Sequence, residues 1–218
     1  MVNPSQITTS QITTVPTDTW VAVDWDAFLT FAEDPSLVKG RFYYDYGDMR
    51  IEMSPLGTAH GRDNTIIPLV ITLYAAIRQI PLLGWTNTSF RKTGLQEAQP
   101  DLAYLIGQSL EFPPRNNAPV NLNQTPPTLV VEIAATSLED DLGRKQRLYQ
   151  RLGVQEYWVV NVNASRVTAF FLLEAIEITT SQVLPDLAMA LVEEALRRSQ
   201  TEDDGAVSRW LLGEFQGQ

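Results

Sequence analysis

Cysteine is absent from the 218 residues, which excludes disulfides and thiolate metal sites. Histidine occurs once, at His60, too few nitrogen ligands for a zinc centre of ordinary type. No run of about 20 apolar residues is present, the length a membrane-spanning helix needs. The N-terminus lacks the charged start and apolar stretch of a secretory leader, so a soluble, cytoplasmic protein is expected. Positive charge is scarce as well: 16 Lys and Arg stand against 26 Asp and Glu, for a formal net charge of −10. That balance argues against a general nucleic-acid binder. The shortfall is uneven, however. Residues 1–60 carry 3 basic and 8 acidic side chains and residues 161–218 carry 4 and 9, which leaves 9 of each for residues 61–160.

What is present suits one sizeable core, with 44% hydrophobic residues in a chain long enough to bury them. Residues 1–18, rich in Ser, Thr and Gln, are expected to form a flexible tail, and residues 19–218 a single domain. Asp24 reads as the N-cap of a helix carrying Trp25, Phe28, Leu29 and Ala32. Residues 41–53 read as a hairpin turning at Tyr46-Gly47-Asp48. A helix over about 64–79 and a strand over 85–92 follow. Residues 107–128 contain Pro113, Pro114, Pro119, Pro126 and Pro127 and predict a long loop without an element of its own. Residues 166–173 suggest a strand, and 184–215 a C-terminal helical extension, with a helix over 184–198, an acidic break at 201–205 and a short amphipathic stretch around Trp210 and Leu211. No internal repeat or heptad run occurs.

Lys145 is out of place in this pattern. Positions 142, 145, 149 and 152 form one helical stripe, and its other members are Leu142, Tyr149 and Leu152. An ammonium on the inward face of a helix needs a carboxylate or an anionic ligand beside it. Two carboxylates are available on apparent strands. Glu132 lies in Thr128-Leu129-Val130-Val131-Glu132-Ile133-Ala134, an apolar run of strand length that reads as covered on both faces. Alternation puts Val130, Glu132 and Ala134 on one of those faces. Asp101 opens Leu102-Ala103-Tyr104-Leu105-Ile106, preceded by Pro100, a position proline tolerates. Two carboxylates and a lysine of this kind suit magnesium or manganese and charge developing on a phosphate. A satisfied structural ion network is the alternative reading of the same residues.

The ordered set Pro100-Asp101, Val131-Glu132-Ile133 with Thr136-Ser137, Asp141-Leu142-Gly143-Arg144-Lys145 and Gly153-Val154-Gln155-Glu156-Tyr157-Trp158 resembles the Uma-type family of restriction-endonuclease-like proteins. That family belongs to the PD-(D/E)xK nuclease superfamily, and the likeness runs from about residue 41 to 173. It implies a mixed α/β fold: a restriction-endonuclease-like core with a central mixed sheet flanked by helices, here preceded by an N-terminal helix and hairpin. It also implies that Asp101 and Glu132 bind a metal ion, Mg2+ with Mn2+ as a substitute. The superfamily's lysine stands two residues after the glutamate, where this chain has Ala134. The family's variant carries it on the following helix, and Lys145 matches that position. An aspartate usual after Tyr-Trp and two apolar residues is replaced by Asn161, which reads as a strand-end turn former.

His60 matches a histidine common in the family, preceded there by a Ser-Pro pair that Ser54-Pro55 matches. It shares a helical face with Asp63 and Ile67; it reads either as a site residue or as a cap near the surface. Pro68 inside this helix predicts a kink or a delayed start. Glu52 reads as a solvent-facing strand residue, with a further acidic ligand as the alternative. Arg144, Arg147 and Arg151 stand off the apolar stripe, where they either track a phosphate backbone or are simply solvated.

The expectation is therefore a Mg-dependent endonuclease acting on DNA, with Asp101, Glu132, Lys145 and His60 in the site. A catalytically silent interaction module of the same fold, or a hydrolase of RNA or another phosphodiester, uses the same residues. Bound metal would make the neutral middle of the chain locally positive, and affinity for random DNA is expected to be weak and salt-sensitive. A homodimer is a further expectation, resting on the terminal pieces.

Overall fold

The computed structural model describes residues 15–53, 57–107, 110, 112–122 and 126–217. Most of the expected tail, residues 1–14, and the Ser54-Pro55 pair lie outside them. In chain order the elements are β1 (Trp20–Ala22), α1 (Trp25–Ala32), β2 (Arg41–Asp45), β3 (Asp48–Glu52), α2 (Thr58–Arg78), β4 (Leu82–Thr86), β5 (Phe90–Lys92), β6 (Gln96–Ala98), β7 (Leu102–Ile106), β8 (Val120–Asn121) and β9 (Leu129–Ala134). There follow α3 (Leu138–Asp140), a π turn (Asp141–Lys145), α4 (Gln146–Leu152), β10 (Glu156–Asn161), β11 (Arg166–Phe171), β12 (Ile176–Ile178), α5 (Met189–Arg198) and α6 (Asp204–Gln216). They fall into two units. One comprises Met1–Pro55, Ser89–Gln99 and Asn117–Gln124; the other comprises Leu56–Thr88, Pro100–Asn116 and Thr125–Gln218.

The first unit is a six-stranded sheet in the order β1-β3-β2-β6-β5-β8. Its centre is the expected hairpin, turning at Tyr46 and Gly47, both with positive φ (48° and 104°), the conformation a two-residue loop between twisted strands demands. Asp24 caps α1, its Oδ1 accepting from the Ala27 N–H at 2.8 Å. The helix buries Ala27, Phe28 and Phe31 against Phe42, Tyr44, Met49 and Ile51. Glu52 departs from its solvent-facing reading. It is 5% exposed and paired with Arg41 at 2.9 Å and Arg50 at 3.0 Å, two guanidinium groups that make the burial of its charge tolerable. The Pro-rich loop also departs from expectation by contributing β8, which pairs parallel with β5.

The second unit carries a six-stranded mixed sheet in the order β12-β11-β10-β9-β7-β4. Strands β9 and β10 are parallel and joined through α3, the π turn and α4, the crossover that a strand-helix-strand run predicts. All six residues of β9 are buried, so this strand is covered on both faces. One face presents Leu129, Val131, Ile133, Trp158 and Val160 to α2, α5 and α6. Fully buried side chains such as Ile66, Ile67 and Val70 contribute about 1.5–3 kcal/mol each. The predicted strand over 85–92 is in fact two strands, since β4 lies in this sheet and β5 in the other. Helix α2 begins at Thr58, earlier than predicted, and continues through Pro68. The C-terminal segment forms α5 from Met189 and a 13-residue α6, longer than the short stretch expected. Among the described residues, no helix is long and apolar enough to cross a membrane.

Candidate active site

Strand pairing brings the two predicted carboxylates together. The antiparallel register of β7 and β9 matches Leu102 with Val131 and Ala103 with Val130, so extending it by one residue sets Asp101 opposite Glu132. Opposed residues share a sheet face with Cβ atoms about 4.5–5.5 Å apart. Each side chain is 1% exposed. Asp101 Oδ2 accepts from the Ile133 N–H at 2.8 Å, which fixes the carboxylate against β9. Its Oδ1 lies 3.3 Å from His60 Nε2.

Lys145 is fully buried and meets two carboxylates, Asp141 at 2.9 Å and Glu132 at 3.7 Å. Burial of this charge is tolerable only because of that pairing. The π turn explains why the inward neighbour one turn back is Asp141 rather than the expected Leu142. A wider turn rotates position 142 outward, and Leu142 is only half-buried while Asp141 is 1% exposed. Single π turns of this kind recur at functional sites. Beyond it, α4 resumes ordinary spacing and buries Leu148, Tyr149 and Leu152 before Gly153 ends the helix with φ 92°.

Tyr149, expected only as core, directs its hydroxyl at Glu132 Oε1, 2.6 Å away. Its ring lies 5.0 Å from that of Tyr157, whose hydroxyl donates to the Asp141 carbonyl at 3.0 Å. The Ser137 hydroxyl donates to Asp141 Oδ2 at 2.6 Å. Asp141 and Tyr149 are the residues that sequence reasoning missed. The Asp-x-x-x-Lys spacing was a readable i,i+4 pair, whereas nothing in an apolar stripe announces what a tyrosine hydroxyl will meet.

His60 is 2% exposed and lies inside the first turn of α2, behind a Gly57 N-cap; it is neither a cap nor near the surface. One turn on, Asp63 is also buried, and one of its carboxylate oxygens has no hydrogen-bond partner. Burial pushes its carboxyl up to about 6, against the opposing pull of His60 and Arg62. Arg147 and Arg151 are exposed and Arg144 half-buried. Asn161 ends β10, and its side chain accepts from the Ala164 N–H at 3.3 Å, the turn-forming role expected.

Among the described residues, no group of three or more His, Asp or Glu side chains is gathered as a complete cage for a metal ion. Magnesium does not require one, since it commonly takes one or two carboxylates and completes its shell with water and substrate phosphate. With its carboxylates ionised, the Asp101, Glu132 and Asp141 set outweighs the single Lys145 ammonium, and a cation beside Asp101 and Glu132 would offset that excess. The residues present therefore fit a hard divalent ion.

The family model described as "Uma2: Putative restriction endonuclease" matches residues 25–204. A solved structure from Anabaena variabilis ATCC 29413, described as a putative nuclease belonging to DUF820, resembles the chain with a TM-score of 0.55 at 13% identity. It covers 80% of this chain and 99% of its own, a likeness of fold. No curated protein matches. With the family model spanning the sheet that carries Asp101 and Glu132 together with the turn that carries Lys145, the chain belongs to the Uma2 family of restriction-endonuclease-like proteins.

Proposed function

We propose that this protein is a Mg2+-dependent endonuclease that hydrolyses phosphodiester bonds of DNA. The observation that carries the reading is the juxtaposition of Asp101 and Glu132 on opposed strands, with Lys145 3.7 Å from Glu132, in a chain whose family model is described as "Putative restriction endonuclease". Asp101 and Glu132 would hold the ion, with Mn2+ as a substitute. When bound, it would supply an activated water and neutralise charge on the phosphate. Lys145 would orient that water and offset charge developing on the phosphoryl oxygens. His60, held at Asp101, would contact the substrate or carry a proton.

A second reading is favoured by one observation, the burial of all four side chains to 2% exposure or less. On it, the cluster is a structural ion network in a catalytically silent interaction module of the same fold.

Titration calorimetry with Mg2+ and Mn2+ on the full chain separates the two, using wild type, Asp101→Asn and Glu132→Gln. Metal binding by wild type that is lost in both variants supports the nuclease, and Lys145→Met should then abolish cleavage of supercoiled or linear DNA while retaining the metal. Cleavage of RNA in place of DNA under the same conditions would move the substrate class. Absence of binding at millimolar metal, with or without DNA, would favour the silent module.

A further inference from the structure

Two buried groups beside the proposed ligands have no part in the reaction as written, yet each grips one member of the set. Asp141 holds Lys145 and Tyr149 holds Glu132. Their arrangement is specific. Lys145 sits 2.9 Å from Asp141 but 3.7 Å from Glu132 Oε1, the same oxygen that receives the Tyr149 hydroxyl at 2.6 Å. Asp141 is itself tethered at its second oxygen by Ser137 and at its carbonyl by Tyr157. A carboxylate fixed at two further points is a firm counter-ion. It keeps the ammonium at contact distance on its own side of the cluster.

We propose that Asp141 and Tyr149 are positioning residues that divide the charges of the site, Asp141 drawing Lys145 away from Glu132 and Tyr149 orienting Glu132 for a divalent cation. The assignment rests on the metal-dependent reading given above. Its physics is competition. An ammonium with one buried carboxylate left to it closes on that carboxylate and opposes any cation arriving there. An outer partner that orients a ligating carboxylate commonly accounts for a 10–100-fold change in metal affinity. The π turn contributes by rotating Leu142 out and leaving Asp141 as the inward neighbour of Lys145.

The competition makes a non-additive prediction, which a double-mutant cycle reads. Mg2+ affinity is measured by calorimetry on the full chain for wild type, Asp141→Asn, Lys145→Met, the Asp141→Asn/Lys145→Met double variant and Tyr149→Phe, with circular dichroism to establish folding. Asp141→Asn should weaken binding about tenfold or more. In the double variant that loss should vanish, so that it binds as Lys145→Met does. A purely structural Asp141 does not produce this rescue. Tyr149→Phe, which removes one hydroxyl from a ring that stays packed, should also weaken binding about tenfold. Equal losses for Asp141→Asn with and without Lys145 would overturn the charge-dividing role of Asp141. Unchanged affinity in Tyr149→Phe would overturn the orienting role of Tyr149. Wild type that binds no Mg2+ refutes the metal-dependent reading and this assignment with it, whereas wild-type binding that both variants leave intact refutes the assignment alone.

Discussion

Asp63 shows how a buried ionisable group couples this fold to pH. Its carboxyl is raised from 3.8 to about 6 by burial, so between those values the folded chain holds a proton that the unfolded chain has released. Stability therefore falls as pH rises through that window, and the penalty of the buried charge is complete above about pH 6. Asp63→Asn, which keeps the shape without the charge, should flatten this part of the profile and raise stability at pH 7. Urea unfolding at pH 4, 5, 6 and 7 measures it, and equal slopes in variant and wild type would exclude Asp63 as the source. Among the candidate residues, the burial of Glu132 and Lys145 was legible in the sequence, because each is a charged side chain at a position that periodicity assigns to an interior, whereas Asp101 was placed only at a strand entrance and His60 was left between a site residue and a surface cap. Asp63 stood in the same helical pattern as His60, yet its orphaned oxygen depends on packing that periodicity does not encode. Tyr149 is the opposite case, where apolar spacing correctly gave its burial and concealed its hydroxyl.

At the scale of elements, the end of α4 aims the chain from the Lys145 helix into β10. Gly153 holds φ 92° there, and a Cβ at that position would meet Pro126 at 3.2 Å. Gly153→Ala should thus cost about 1–2 kcal/mol, the penalty of a left-handed conformation for a residue with a side chain. Denaturant midpoints check this, and a loss below a few tenths of a kcal/mol would show that the turn relaxes freely. The Asp24 cap and the Tyr46-Gly47 turn were predicted, since each depends on residues adjacent in sequence. The π turn was not, because an α-helical period assumes regular spacing and the turn departs from it by widening. Nor was the division of residues 85–92 into β4 and β5, since the choice between two sheets is made by strands far away in the chain. The late start of α5 has a similar cause. Leu184 and Leu187 are buried like helical core residues, but from the turns ahead of Met189.

For the whole molecule, charge and connectivity set the limits. The formal net charge of −10 lies outside residues 61–160, which contain Asp101, Glu132 and Lys145 with His60 just ahead of them, so the acidic excess would oppose loose DNA binding without arising from the segment that carries those three. Connectivity is the less expected property. Both units are assembled from separated segments, and any break between Thr86 and Val120 leaves neither with all of its strands. The exposed stretch around Arg115 lies within that interval. A tryptic nick after Arg115 separates β5 from its partner β8 and β7 from its partner β9 in covalent terms alone, since both pairs remain hydrogen-bonded. The two fragments should co-elute in native gel filtration and part only in denaturant; separation without denaturant would show that the pairings depend on the intact chain. Such a protein behaves as a clasped pair of chains, and the natural use of that property is fragment complementation: halves divided near residue 115, each short of partners alone, would rebuild both sheets when mixed.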